Sequence, residues 1–263
     1  MTTRHNPWPA GTPCWVDIMV GDLKRSQRFY AEVLGWSFDD GDPALGGYTN
    51  ARVGDLVVAG MSPTMPGMQD APHVWTVYLA TNDVTATDHA AREAGARVLA
   101  APMAIGTMGS MAVWTDPSEA AFGAWQAGLH TGYQLSNQPG AVTWCDLTTP
   151  DAHGARDFYA RVFGYQYQDI GPQPGDYAMF TVPGEDRPAG GIGVTPADYP
   201  DSVPGWAVCF EVADADAAQA RIVAAGGGVV RPAHDSDYGR LVAAYGPDRE
   251  PFALMTSDPG QQM

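Results

Sequence analysis

Val16, Ile18 and Val20 alternate with Trp15, Asp17 and Met19, the two-residue period of a strand with one apolar and one mixed face. Asp22 then offers an N-cap, Leu23, Phe29, Tyr30, Val33 and Leu34 fall at helical spacings, and Gly35 supplies the stop. The pattern predicts strand, turn and helix. It recurs. A shift of 129 positions, from 15 to 144, lays Trp15, Asp17, Asp22, Phe29, Tyr30 and Gly35 on Trp144, Asp146, Asp151, Phe158, Tyr159 and Gly164. Tyr48 and Tyr177 keep the same offset.

A second pair of segments repeats as well. Thr76-Val-Tyr-Leu-Ala-Thr-Asn-Asp83 corresponds to Ala207-Val-Cys-Phe-Glu-Val-Ala-Asp214, each followed by an Ala-rich helical stretch ending in glycine. Further on, Asp116-Pro117 corresponds to Gly246-Pro247. The chain therefore divides into four modules near 11–64, 72–129, 140–196 and 204–256, each a strand, a helix and about three short strands. Met61 to Pro72 is too Pro-rich for an element and links the first two modules, while His130 to Gly140 links the halves. Ser257 to Met263 is expected to be a frayed tail.

Composition narrows the functional classes. A length of 263 residues suits two domains, and 45% hydrophobic against 17% charged residues suits a packed fold. A formal charge of −16 argues against nucleic acid and against an anionic membrane surface, and suits a neutral or cationic small ligand. Cys14, Cys145 and Cys209 sit inside strand-like runs without metal spacing, as buried thiols in a reducing compartment would. Residues 1–11 are polar and Pro-rich, and no apolar run is long enough to span a bilayer, so a cytoplasmic protein is expected.

Four βαβββ modules resemble the vicinal oxygen chelate superfamily, the glyoxalase, bleomycin-resistance and extradiol-dioxygenase fold. The resemblance rests on strand cores Trp-Val-Asp-Ile-Met-Val-Gly-Asp and Trp-Cys-Asp-Leu-Thr-Thr-Pro-Asp, each before a helix ending Phe-Tyr-x-x-Val-x-Gly or its near copy. It looks closest to the tandem two-domain type found in actinobacterial antibiotic-biosynthesis clusters. The implied fold is α+β, with two glyoxalase-like cups over 11–129 and 140–256, helices outside and the ligand inside. In metal-using members a His on the first strand, a second His on the partner strand and a Glu on the last strand hold the ion. Here those positions carry Trp15 or Trp144, Thr76 or Ala207, and Gly123 or Ala253. No metal site and no cofactor are expected.

Strand alternation gives the cup lining. Trp15, Asp17 and Met19 face inward in the first cup, with Thr76, Tyr78 and Trp125. Trp144, Asp146, Glu211 and Met255 face inward in the second, whereas Trp75 and Trp206 fall on the helix side. Each cup holds a Trp and an Asp on one strand, which supports two readings. In one, the indole stacks on a planar aromatic ligand, such as an antibiotic or polyketide intermediate, and the carboxylate takes its hydroxyl or amine. In the other, the indole plugs the cup as core and neighbouring backbone N–H groups satisfy the acid.

The ligand-binding reading implies sequestration, self-resistance or support of a biosynthetic enzyme. An enzymatic alternative, a lyase, isomerase or hydroxylase on a small carbonyl or aromatic substrate, would use Asp17 or Asp146 with a raised pKa as general acid or base, or a metal site that the pattern does not reveal. A third possibility is a pure interaction protein. Met61, Met65, Met68, Met103, Met108 and Met111 cluster in the link and loops of the first half, either as an adaptable rim that marks its cup as the working one or as loop fillers without functional meaning. The pattern leaves open whether modules pair first with second and third with fourth, or first with fourth and second with third.

Overall fold

The computed structural model describes residues 2–171, 173, 175–195 and 204–257. A short strand β1 (Thr2–Thr3) precedes the first module, which runs β2 (Pro13–Val20), α1 (Leu23–Leu34), β3 (Ser37–Phe38), β4 (Thr49–Val53) and β5 (Leu56–Pro63). The second runs β6 (Thr76–Thr81), α2 (Val84–Glu93), β7 (Arg97–Ile105), β8 (Gly109–Thr115) and β9 (Ala121–Ala127). After β10 (Leu135–Ser136) the third contains β11 (Val142–Thr149), α3 (Ala152–Phe163), β12 (Gln166–Asp169), β13 (Tyr177–Thr181) and β14 (Gly190–Val194). The fourth contains β15 (Gly205–Glu211), α4 (Ala215–Ala224), β16 (Gly228–Ser236), β17 (Gly239–Tyr245) and β18 (Pro251–Ser257). The fold is α+β, as the repeat pattern predicts. The expected tail beyond Ser257 lies outside the described residues.

Consecutive modules share a sheet. The first two give the order β3-β4-β5-β2-β6-β9-β8-β7, and the last two give β12-β13-β14-β11-β15-β18-β17-β16. At each centre the two first strands run antiparallel, and each lies parallel to the last strand of its own module. Trp15 stands opposite Tyr78 and Asp17 opposite Thr76, while Trp144 stands opposite Cys209 and Asp146 opposite Ala207. A bulge precedes each tryptophan, between Pro13 and Trp15 and between Val142 and Trp144. An extra residue at that point turns the following side chain relative to the strand behind it.

The helices associate the other way. α1 packs against α4 and α2 against α3, so the helical layer ties the halves together while the sheets keep them separate. The repeated Phe-Tyr pair makes this contact. Buried Tyr30 on α1 donates its hydroxyl to Glu250 Oε1 at 3.1 Å and accepts from Trp75 Nε1 at 3.2 Å. Its counterpart Tyr159 on α3 donates to Asp116 Oδ2 at 3.2 Å and accepts from Trp206 Nε1 at 2.9 Å. Trp75 and Trp206 are thus packing residues on the helix side, as the alternation predicts.

The two acids do the same job from different places. Asp116 opens its turn, whereas the equivalent position is Gly246 and the carboxylate comes from Glu250 four residues later. A Cβ at 246 would collide with the Glu250 carboxylate, so the glycine makes room for the relocated acid. Burial of hydrogen-bonded aromatic side chains on this scale contributes about 25 cal/mol per Å² of apolar surface, and the hydroxyls of Tyr30 and Tyr159 are satisfied.

The N-terminal segment departs from expectation. It reads as a polar, Pro-rich stub before the fold, yet it crosses to the second half. β1 pairs antiparallel with β10, which pairs parallel with β11 at Ser136 and Val142. Trp8 Nε1 donates to Tyr133 O at 3.2 Å, and the Tyr165 hydroxyl donates to Gly11 O at 2.6 Å. Two-residue strands have no periodic signature, which is why the pattern misses them. No helix among the described residues is long and apolar enough to cross a membrane.

Candidate functional site

Each cup is built around the same three side chains. In the first, Trp15 Nε1 donates to the Tyr48 hydroxyl at 2.9 Å, and that hydroxyl donates to Asp17 Oδ2 at 3.2 Å. In the second, Trp144 Nε1 donates to Asp146 Oδ1 at 2.8 Å and lies 3.1 Å from the Tyr177 hydroxyl, which donates to the same carboxylate oxygen at 2.6 Å. Tyr48, just before β4, and Tyr177, in β13, reach across the intervening β5 and β14 because glycine faces them there. A Cβ on Gly60 would overlap Tyr48, and one on Gly191 would overlap both Tyr177 and Asp146. The acids expected to await a ligand are therefore already hydrogen-bonded, by side chains and not by the backbone N–H groups an isolated strand would offer.

The first cup is filled. Trp15 is only 3% exposed, Tyr78 lies flat on Gly123 where a Cβ would strike its ring, and Trp125 is buried beside it. His130, which the pattern places in the connection between halves, turns inward instead. Its ring meets Trp15 edge-on at 4.3 Å between centroids and Trp125 at 5.3 Å, and its backbone carbonyl accepts from Trp125 Nε1 at 2.8 Å. Desolvation holds its pKa down to about 4, and Nε2 is buried without a partner among the described residues. Burial pushes Asp17 up to about 7, with the Tyr48 and Tyr78 hydroxyls pulling back less strongly. Thr76 and Met19 are partly buried at the edge of this cluster.

The methionines do not all join this rim. Met61 is fully buried in β5, whereas Met65, Met68, Met103 and Met108 are exposed. An aromatic-lined space lies against the other sheet.

That space is a cavity of about 200 Å³, open on one side, bounded by β11, the N-terminal segment and the loop between β13 and β14. Its aromatic walls are Trp8, Tyr133, Trp144 and Tyr238, with Met255 at the base. Trp144 is partly exposed here, unlike buried Trp15. Glu211 is buried below Ser257, whose amide and hydroxyl donate to its carboxylate at 2.8 and 2.6 Å. Ser257 itself lines the cavity, but Asp146 does not. Burial raises the pKa of Asp146, opposed by the Tyr177 and Trp144 donors. Sequence reasoning finds Trp144 and Met255 through strand alternation. It misses Trp8, Tyr238 and the arginines Arg4 and Arg187, which reach the cavity from loops.

The positions that hold a metal in metal-using members of the resembled superfamily carry other side chains here. At the three corresponding positions the first cup offers Trp15, Thr76 and Gly123, with the Tyr78 ring occupying the space in front of Gly123. The second offers Trp144, Ala207 and Ala253. Among the described residues, no three His, Cys, Asp or Glu side chains gather closely enough to hold an ion. The donor set does not fit the group.

Comparison with known proteins gives a consistent family. The model of the Glyoxalase/Bleomycin resistance protein/Dioxygenase superfamily matches residues 14–123 and again 141–254. The chain is 33% identical over 263 residues to a putative glyoxylase, CFP32, of Mycobacterium tuberculosis, covering 98% of this chain and 99% of that one. It is 34% identical over 269 residues to the anthracycline biosynthesis protein DauV of Streptomyces sp. strain C5, covering 96% and 94%. Among solved structures, a Mn(II)-bound glyoxalase from Novosphingobium aromaticivorans superimposes with a TM-score of 0.65 at 14% identity, over 100% of this chain and 87% of that one. The 2,3-dioxygenase LapB from Pseudomonas sp. KL28 gives 0.63 at 12% identity, over 98% and 96%.

Proposed function

The chain belongs to the Glyoxalase/Bleomycin resistance protein/Dioxygenase superfamily, and within that family we propose that it is a metal-independent binding protein for a planar aromatic small molecule. The observation that carries this reading is the partly exposed Trp144 indole on the wall of an aromatic-lined cavity in the second half. A flat ring can stack on that indole while Trp8 and Tyr238 approach from other sides, and burying such a face is worth several kcal/mol. Aromatic polyketides have the required shape, and two relatives carry anthracycline biosynthesis in their names. Sequestration, self-resistance or delivery to a biosynthetic enzyme would all follow from such binding.

Titration with a panel of aromatic polyketides, read by tryptophan fluorescence, tests the proposal. Quenching with a dissociation constant of about tens of micromolar or tighter is expected, and Trp144→Ala should weaken it roughly tenfold or more. Silence across the panel would sink it.

One observation favours a second reading. A carboxyl with a pKa of about 7, as at Asp17, is matched to proton transfer at neutral pH. A lyase, isomerase or hydroxylase acting through it would lose turnover on Asp17→Asn while keeping substrate affinity. Its rate would inflect near pH 7.

A further inference from the structure

The charges around the cavity differ from those of the protein. The whole chain carries 30 acidic residues against 14 Lys and Arg, yet among the described residues the charged side chains lining the cavity are Arg4, Arg187 and a single acid, Glu185. A long-range field of one sign repels ligands of that sign, so a local excess of the opposite sign in a concave site is what selects them at short range. Arg4 is held in place by its own segment. Its Nε and Nη2 donate to the carbonyls of Asn6 and Pro7 at 2.9–3.2 Å, and its guanidinium lies 5.0 Å from the centroid of Trp8. Nη1 takes no part in those bonds. Arg187 stands on the loop between β13 and β14, so the two cations belong to different walls of one cavity that also displays Trp144.

We infer that this cavity takes an acidic aromatic ligand, an aryl carboxylate or ionised phenol, whose ring stacks on Trp144 and whose oxyanion meets Arg4 and Arg187. The inference rests on the aromatic-binding reading above and specifies its ligand class. A guanidinium whose position is fixed before binding loses little freedom when it accepts the anion, which favours Arg over a mobile lysine for this role. The volume of about 200 Å³ suits a bicyclic ring, with larger ring systems extending through the open side. The N-terminal segment thereby acquires a use: without its crossing to β10 the cavity would lack Arg4 and Trp8.

The experiment is calorimetric titration of the full chain with 2-naphthoate and with its uncharged isostere 2-naphthamide. The acid is expected to bind at least about tenfold more tightly, as one charge-assisted pair would give. That preference should fall to about twofold or less in Arg187→Gln and in Arg4→Gln, and it should shrink with added salt. Arg187 lies in an exposed loop, so its variant keeps the test interpretable if the N-terminal variant unfolds. Equal or weaker binding of the acid by the wild type would overturn the inference and leave the aromatic-binding reading standing. Binding of neither compound, with no response to the polyketide panel, would remove both.

Discussion

The two cups contain the same Trp, Tyr and Asp, bonded in series through Tyr48 in the first and converging on Asp146 in the second, yet the surroundings of the indole differ. In the first, Tyr78, Trp125 and His130 close over Trp15. In the second, the positions of Tyr78 and Gly123 are Cys209 and Ala253, and Trp144 remains partly exposed beside the cavity. The shared triad is therefore scaffold in both halves. It pins strand to strand and orients the indole, and the surrounding residues decide whether that indole becomes core or contact surface. The difference between plug and pocket lies in one ring on the partner strand and one histidine arriving from a connecting segment.

The contrast can be broken most sharply at residue 123. Gly123→Ala would drive a methyl into Tyr78, and overpacking of this kind costs about 1–3 kcal/mol. The reverse exchange in the second cup, Ala253→Gly, should cost less than about 1 kcal/mol. Urea denaturation of the two variants measures both, and equal losses would show that Tyr78 is not the plug. Next in size, Trp15→Phe removes a buried indole bonded to Tyr48 and is expected to cost about 2 kcal/mol. Trp144→Phe should cost about half as much in stability, with its main effect on ligand affinity.

A separate effect concerns pH. The folded-state pKa of Asp17, about 7, lies above its ordinary value of 3.8, so the folded protein keeps a proton that the unfolded chain releases. Its contribution to stability is complete below pH 4 and is lost as pH rises through 7. Asp17→Asn should therefore stabilise the protein at pH 8 relative to its effect at pH 4, by up to about 4 kcal/mol for a carboxyl raised from 3.8 to about 7. Thermal unfolding at the two pH values measures this, and a variant equally affected at both would show Asp17 to be unperturbed.

Much of this architecture is written in the repeats. Alternation around Trp15 and Trp144 predicts the inward faces, and the helical spacing of Phe29 and Tyr30 predicts the buried helix side. The pairing of modules is not legible, because either arrangement buries the same apolar faces. The structure uses both patterns, one for the sheets and the other for the helices. His130 and the N-terminal segment escape notice for a different reason. Their positions are fixed by individual side-chain bonds, such as Trp125 to the His130 carbonyl five residues on and Tyr165 to Gly11 in the other half, which leave no periodic trace. The cavity is missed for the same reason, since half of its wall comes from loops.

The paired Gly246 and Glu250 also constrain how such a duplicated chain can change. What Tyr30 needs is an acceptor oxygen at one point in space, and the backbone position that supplies it is negotiable when a neighbouring side chain is given up. Neither residue can revert alone: Gly246→Asp would clash with Glu250, and Glu250→Ala would strand the Tyr30 hydroxyl. A hybrid of two first halves would restore the acid at the start of the turn and must also restore alanine four residues on. The halves share an ancestry legible in their spacing, but their descendants have become mutually dependent, each holding half of a bargain struck across the helical seam.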